Sequence, residues 1–225
     1  MTITPAGFTQ AIATALRHDD TSALAALLAA APLDSPALVP MAVSVKAHRS
    51  LDLLLSRGSS ANETRVDGLA GLHLVRDAKM VRTLVRAGGD VNLPSPSGTP
   101  LFLAAANAGP PVIKALLDAG ADPNAVRESP PTRFTPLQAA CELGRTQAVK
   151  ALLARPPAHE ACFFLTAEFV TRTGKKSLAV LDLLLAAFGA DMQPPAGYDS
   201  LLHIASKAGC VDGVELLRRH GAATP

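Results

Sequence analysis

The residues that could do chemistry are few and poorly spaced for it. Gly174-Lys175-Lys176-Ser177 has the glycine, lysine and hydroxyl that end a phosphate-cradling loop. Such a loop needs another glycine five positions earlier, after a strand, so that backbone amides can wrap a phosphate. That position is Phe169, and a solvated turn is the expectation. His18, His48, His159 and His220 lack the spacing to cysteine or carboxylate that a metal site needs. Cys141, Cys162 and Cys210 form no CxxC pair. They read as small core residues in a reducing compartment. No serine, histidine and acid converge by sequence. Neither catalysis, nor a cofactor, nor a metal is expected.

The elements that must position any site are repeated. Thr99-Pro100-Leu101-Phe102-Leu103-Ala104-Ala105 returns as Thr135-Pro136-Leu137-Gln138-Ala139-Ala140. It returns more loosely as Ser200-Leu201-Leu202-His203-Ile204-Ala205, and faintly as Ala70-Gly71-Leu72-His73-Leu74. A second phrase, Leu116-Leu117-Asp118-Ala119-Gly120-Ala121-Asp122, has copies ending near Gly88 and Gly189. Gly88 and Gly120 are 32 residues apart, and so are Gly189 and Gly221. The hydroxyls of Thr99 and Thr135 can accept from a free amide of the first helical turn. Pro100 and Pro136 fall at the first helical position, where a missing N–H costs nothing. Gly58, Gly88, Gly120, Gly189 and Gly221 each follow an apolar run, which a glycine can end in a left-handed conformation. Each repeat therefore reads helix, turn, amphipathic helix, glycine stop, extended loop. One such repeat cannot bury its apolar face alone; stacked copies can.

A period of about 33 residues with a T-P-L-H-x-A core marks ankyrin repeats, and the chain resembles that family over most of its length. The resemblance implies an all-α solenoid forming a single domain over 1–225. Its helix-turn-helix repeats, about seven, fall near 5–33, 35–63, 64–94, 95–126, 127–160, 161–194 and 195–225. The first has helices near Phe8–Arg17 and Ser22–Ala30. The second starts a degenerate first helix at Pro36 and Pro40. The third is about three residues short between its helices, so its first helix or turn must be cut down. The fifth has a long leading loop, Val126 to Phe134, and the sixth an enlarged connection, Thr171 to Lys176. The resemblance also implies that the rings of His73 and His203 bond to backbone in neighbouring loops. Asn92 and Asn124 are expected to tie hairpin loops together through side-chain hydrogen bonds.

Composition fits thin helical layers. The chain has 225 residues, 48% hydrophobic, with no Trp and one Tyr, so its core must be Ala, Leu and Val. A formal charge of +2 gives no clustered basic face of the kind nucleic acid requires. The longest apolar stretch, Ala23 to Leu33, is about half of what a membrane-spanning helix needs. Met1-Thr2-Ile3-Thr4-Pro5 lacks the basic and apolar regions of a signal peptide. The expectation is a monomeric intracellular protein, cytoplasmic or nuclear, with no membrane and no nucleic-acid partner.

What remains is binding of another protein. In the family, variable positions around the T-P-L-H phrase line a concave face and the loop tips. Carried over residue by residue, they give Arg65, Asp67, Leu69 and Asp77 in the third repeat and Ser95, Ser97, Ala106 and Asn107 in the fourth. The fifth supplies Arg127, Arg133, Phe134, Glu142 and Leu143, and the seventh Tyr198, Asp199 and Lys207. Phe134 and Tyr198 stand out because aromatics are scarce here and enriched in interface hot spots. The expected role is an adaptor, assembly chaperone or inhibitor. The alternative is a divergent member with its own small-molecule or catalytic site in the irregular second, third and sixth repeats.

Overall fold

The computed structural model describes residues 5–30, 37–129, 132–155 and 159–222. The chain divides into two compact halves, Met1–Asp122 and Pro123–Pro225. The first holds α1 (Pro5–Arg17), α2 (Thr21–Ala30), α3 (Leu38–Ser44), α4 (His48–Ser56), α5 (Gly71–Leu74), α6 (Ala78–Arg86), α7 (Pro100–Asn107) and α8 (Pro110–Asp118). The second opens with strands β1 (Arg127–Ser129) and β2 (Thr132–Phe134). It continues through α9 (Pro136–Glu142), α10 (Thr146–Leu153), α11 (His159–Phe169), α12 (Lys175–Phe188), α13 (Leu201–Lys207) and α14 (Val211–Arg219). Consecutive helices pair as antiparallel hairpins. First helices then stack on first helices: α1 on α3, α3 on α5 and α5 on α7 in one half, α11 on α13 in the other. Second helices do the same, as with α6 on α8 and α10 on α12.

The repeat is written in the second helices. Leu51 and Leu54, Val81 and Leu84, Ile113 and Leu116, Val149 and Leu152, and Leu181 and Leu184 are all buried. Three residues apart on a helix, each pair shares one face. Burying a leucine side chain contributes about 1.5–3 kcal/mol, so the seam repeats an apolar contribution once per helix pair. The first helices carry the small residues: Ala104 and Ala105 in α7, Ala139 and Ala140 in α9, Ala205 in α13. The bulkiest of the fully buried side chains among the described residues are Phe163 and Phe169, both in α11.

Helix starts follow the sequence where the phrase is present. Thr99 Oγ1 accepts from the Phe102 amide at 3.4 Å, and Ser200 Oγ from the His203 amide at 3.3 Å. Thr135 accepts from Gln138 N–H at 3.2 Å while Gln138 Oε1 accepts from Thr135 N–H at 2.8 Å, a reciprocal capping box. In the second repeat, where the phrase is missing, the caps come from residues far along the chain. The Glu63 carboxylate accepts from the amides of Ala37, Leu38 and Val39, the latter two at 3.2 Å, and so closes the start of α3. Asp19 accepts from the amides of Arg49 at 3.0 Å and Ser50 at 2.7 Å at the start of α4. Burial alone would raise the Asp19 pKa, but those two amides and the nearby Arg49 hold it below its usual value.

Helix ends use glycine. Gly88 and Gly120 take φ of +82° and +93°, with open space where a Cβ would sit. The other three predicted stops also have positive φ. Beyond them the hairpin tips interlock. Asn62 Nδ2 donates to Gly88 O at 3.1 Å and its Oδ1 accepts from Asp90 N–H at 2.7 Å. Thirty residues on, Asn92 Nδ2 donates to Gly120 O at 3.2 Å and its Oδ1 accepts from Asp122 N–H at 2.8 Å.

Three expectations gain detail. The third repeat is shortened in its first helix, since α5 has 4 residues. Pro36, at the predicted start of the second repeat, lies outside the described residues, and Pro40 sits inside α3. The long leading loop of the fifth repeat is a small β-hairpin, with Arg127 opposite Phe134 and Glu128 opposite Arg133. Phe134 is therefore a strand residue, because the extra length lets the two arms pair with each other.

Candidate functional site

In the first half, Arg65 and Asp67 lie on a hairpin closed by a bridge between Thr64 and Ala70. They pair with each other at 3.2 Å, and Asp67 Oδ1 also accepts from Leu69 N–H at 3.2 Å. Both are exposed, as is Val66 between them. Asp77 is engaged inside the fold. Its Oδ1 caps α6 through Lys79 N–H at 2.7 Å, and its Oδ2 lies 2.9 Å from His48 Nε2. Ser95 Oγ donates to Gly98 O at 2.6 Å. Asn107, at the end of α7, accepts on its backbone carbonyl from Arg76 Nη1 at 2.6 Å.

His73 is structural. Nδ1 accepts from Ala70 N–H at 3.0 Å, and Nε2, at 3.0 Å from the Leu93 carbonyl, donates to it. These partners fix the neutral tautomer. Burial pushes its pKa below the usual value. His203 differs from the expectation. It is exposed, with Nε2 3.7 Å from Asp199 Oδ2. The position that would match Leu93, twenty residues on, lies outside the described residues.

In the second half, Glu142 is held by Arg172. The guanidinium reaches both Glu142 oxygens at 3.0 and 2.9 Å, bonds Glu168, and lies 4.6 Å over the Phe169 ring. Leu143, the next residue, is 56% exposed. Tyr198 is 56% exposed and packs edge-on against Phe164, 5.0 Å away, itself 42% exposed. Phe164 in turn meets the buried Phe163 at 5.8 Å. Lys207 is exposed in the last turn of α13, where a cation suits the helix dipole. The side chain of Arg133 lies outside the described residues. The structure thus joins Tyr198 to Phe164, which the sequence reading left out of the candidates. The available signal was a Phe-Phe pair in a chain poor in aromatics.

Cys141, Cys162 and Cys210 are buried thiols, not disulfides. Burial pushes the Cys162 thiol up to about 11 and Cys141 higher still, which suppresses the reactive thiolate. Among the described residues no group of three or more His, Cys, Asp or Glu is placed to hold a metal ion. No helix among them is long and apolar enough to cross a membrane.

A stack of paired helices with glycine stops and tied hairpins defines a helical repeat protein. Residues 101–178 match the family model of ankyrin repeats (3 copies). The crystal structure of the human ASB11 ankyrin repeat domain is similar at 19% identity, covering 95% of this chain and 99% of that one, with a TM-score of 0.68. No curated protein sequence matches the chain. Residues 101–178 thus carry ankyrin repeats, and the ankyrin fold extends over nearly all of the chain. Ankyrin repeats are, in general, modules for binding other proteins.

Proposed function

We propose that this protein is a non-catalytic binding module, an adaptor, assembly chaperone or inhibitor. It engages a partner protein through its first-helix surfaces and hairpin tips, as a monomer in the cytoplasm or nucleus. The exposed aromatic pair Tyr198 and Phe164 carries the reading. Exposed Leu143 belongs to the same half. Large apolar side chains left in water mark interaction sites more often than stability, and aromatics anchor interfaces out of proportion to their number. The buried thiols fit a reducing compartment.

The test is a double substitution, Phe164→Ala with Tyr198→Ala, titrated against a partner captured from native lysate and then purified. Helicity and melting should hold, while affinity falls by about 2 kcal/mol or more, the size of a hot-spot loss. Unchanged affinity in a folded variant refutes the placement.

A further inference from the structure

The third helix pair has lost most of its first helix. α5 has 4 residues, against 7 in α3 and 8 in α7, between which it packs. The chain is extended at Val75 and again at Asp77. The missing turn leaves a groove of about 260 Å³. Leu69, Leu74 and Leu103 give it an apolar lining, with Ser44, Arg76 and Asn107 around them. His73 also lines it, but as a buried neutral ring with both nitrogens engaged.

One cation lines this groove, and a second follows a lining residue closely in the chain. The exposed Arg76 guanidinium is held there by its bond to the Asn107 carbonyl. Lys46 follows Ser44 by two residues and is exposed. Its backbone sits at φ +59°, a conformation that costs any residue with a Cβ. Corresponding turns in the second half use glycine, Gly144 at +62° and Gly209 at +68°. Asp19, at +49° in the turn after α1, offsets the cost by capping α4. Among the described residues the Lys46 ammonium has no hydrogen-bond or ion-pair partner. The conformation closes α3, since Lys46 N–H donates to Val43 O at 3.1 Å and Ala47 N–H to Ala42 O at 2.9 Å, and it leaves the side chain in solvent. The nearby acids have partners of their own: Asp77 is engaged by Lys79 N–H and His48, and Asp67 by Arg65.

We propose that this groove seats an extended acidic segment of the partner protein, with an aliphatic side chain over Leu69, Leu74 and Leu103 and flanking carboxylates on Arg76 and Lys46. This rests on the binding-module reading and narrows it to one surface and one partner chemistry. The volume lies below the roughly 300–1,000 Å³ of small-molecule sites. Single-stranded nucleic acid prefers aromatic platforms on which bases stack, and the lining offers none.

The probe is a short fluorescent peptide of alternating leucine and glutamate, read by anisotropy. Its controls are the same peptide with lysine for glutamate and an oligouridylate of similar length. The acidic peptide should bind, more weakly as salt rises, and the lysine peptide should not. Lys46→Glu with Arg76→Glu should weaken binding about tenfold or more. Lys46→Gly separates function from folding: it removes the charge and the strain together, so it should melt no lower than the parent yet bind less. Equal binding of both peptides, full affinity in Lys46→Gly, or tighter binding of the RNA each overturns the proposal. If the purified partner loses affinity with Phe164→Ala and Tyr198→Ala but not with Lys46→Glu and Arg76→Glu, the groove is refuted and the module reading stands. If it is indifferent to both pairs, the module reading as placed here falls too.

Discussion

His73→Ala should be among the most costly single substitutions in the first half. The ring spans two elements, taking the Ala70 amide on Nδ1 and giving Nε2–H to the Leu93 carbonyl. Ala70 is buried, so water cannot replace the ring there, and an orphaned buried amide costs about 1–3 kcal/mol. The bond to Leu93, which is part-exposed, adds about 0.5–1.5 kcal/mol. The expected loss is about 2–4 kcal/mol, measured from urea midpoints. His73→Gln should recover part of it, because Gln138 plays the same role in α9, accepting from the Thr135 amide at 2.8 Å. The ring also makes stability depend on pH. Burial holds its pKa below the usual value, while the Leu93 carbonyl pulls the other way. Protonating Nδ1 would in addition set two donors, ring and Ala70 N–H, against each other. The unfolded chain thus binds a proton near about pH 6.5 that the folded chain refuses. The contribution is complete above about pH 6.5 and is lost as pH falls toward the lowered folded value. His73→Gln, which cannot titrate, should lose less stability than the parent between about pH 7.5 and 5.5. Parallel acid profiles for parent and variant, or a cost below about 1 kcal/mol for His73→Ala, would refute the reasoning.

Asn92→Ala removes both bonds of one hairpin tie and should cost about 1–2 kcal/mol by urea unfolding, with Asn62→Ala similar at the tie before it. Ala139→Leu, at a buried site in α9, should overpack and cost about 1–3 kcal/mol; an unchanged denaturant midpoint would mean that the α9 contact is loose. Amide exchange should be faster across residues 38–56, whose helix starts borrow their caps from residues 25 to 31 positions away, than across 100–118, where α7 has its own cap. The opposite order would show that borrowed caps hold as firmly as local ones.

Much of the fold was legible because its signals are local. A cap reaches three residues, as from Thr99 to Phe102. A glycine stop acts at its own φ, and Leu51 and Leu54 share a face by helix geometry alone. The shortened third repeat was countable. Asn62 was harder, because it lacks the aspartate that precedes Asn92 by two residues, and only its bonds to Gly88 and Asp90 reveal the same tie. The candidate residues divide the same way. Arg65 and Asp67 stand on an exposed hairpin, but Asp77 and Glu142 are spent on caps and ion pairs that spacing did not announce.

The sequence by itself determined the period, the glycine stops and the helix starts that follow Thr99, Thr135 and Ser200, because each cap and stop acts within one turn of the chain. Tertiary structure alone decided which side chains remain free to bind. Glu63 reaches the start of α3 across 24 to 26 residues, Arg172 reaches Glu142 across 30, and Tyr198 finds Phe164 only when α11 and α13 stack. The groove beside Arg76 belongs to the same category, since it lies where a one-turn helix is packed between two longer ones.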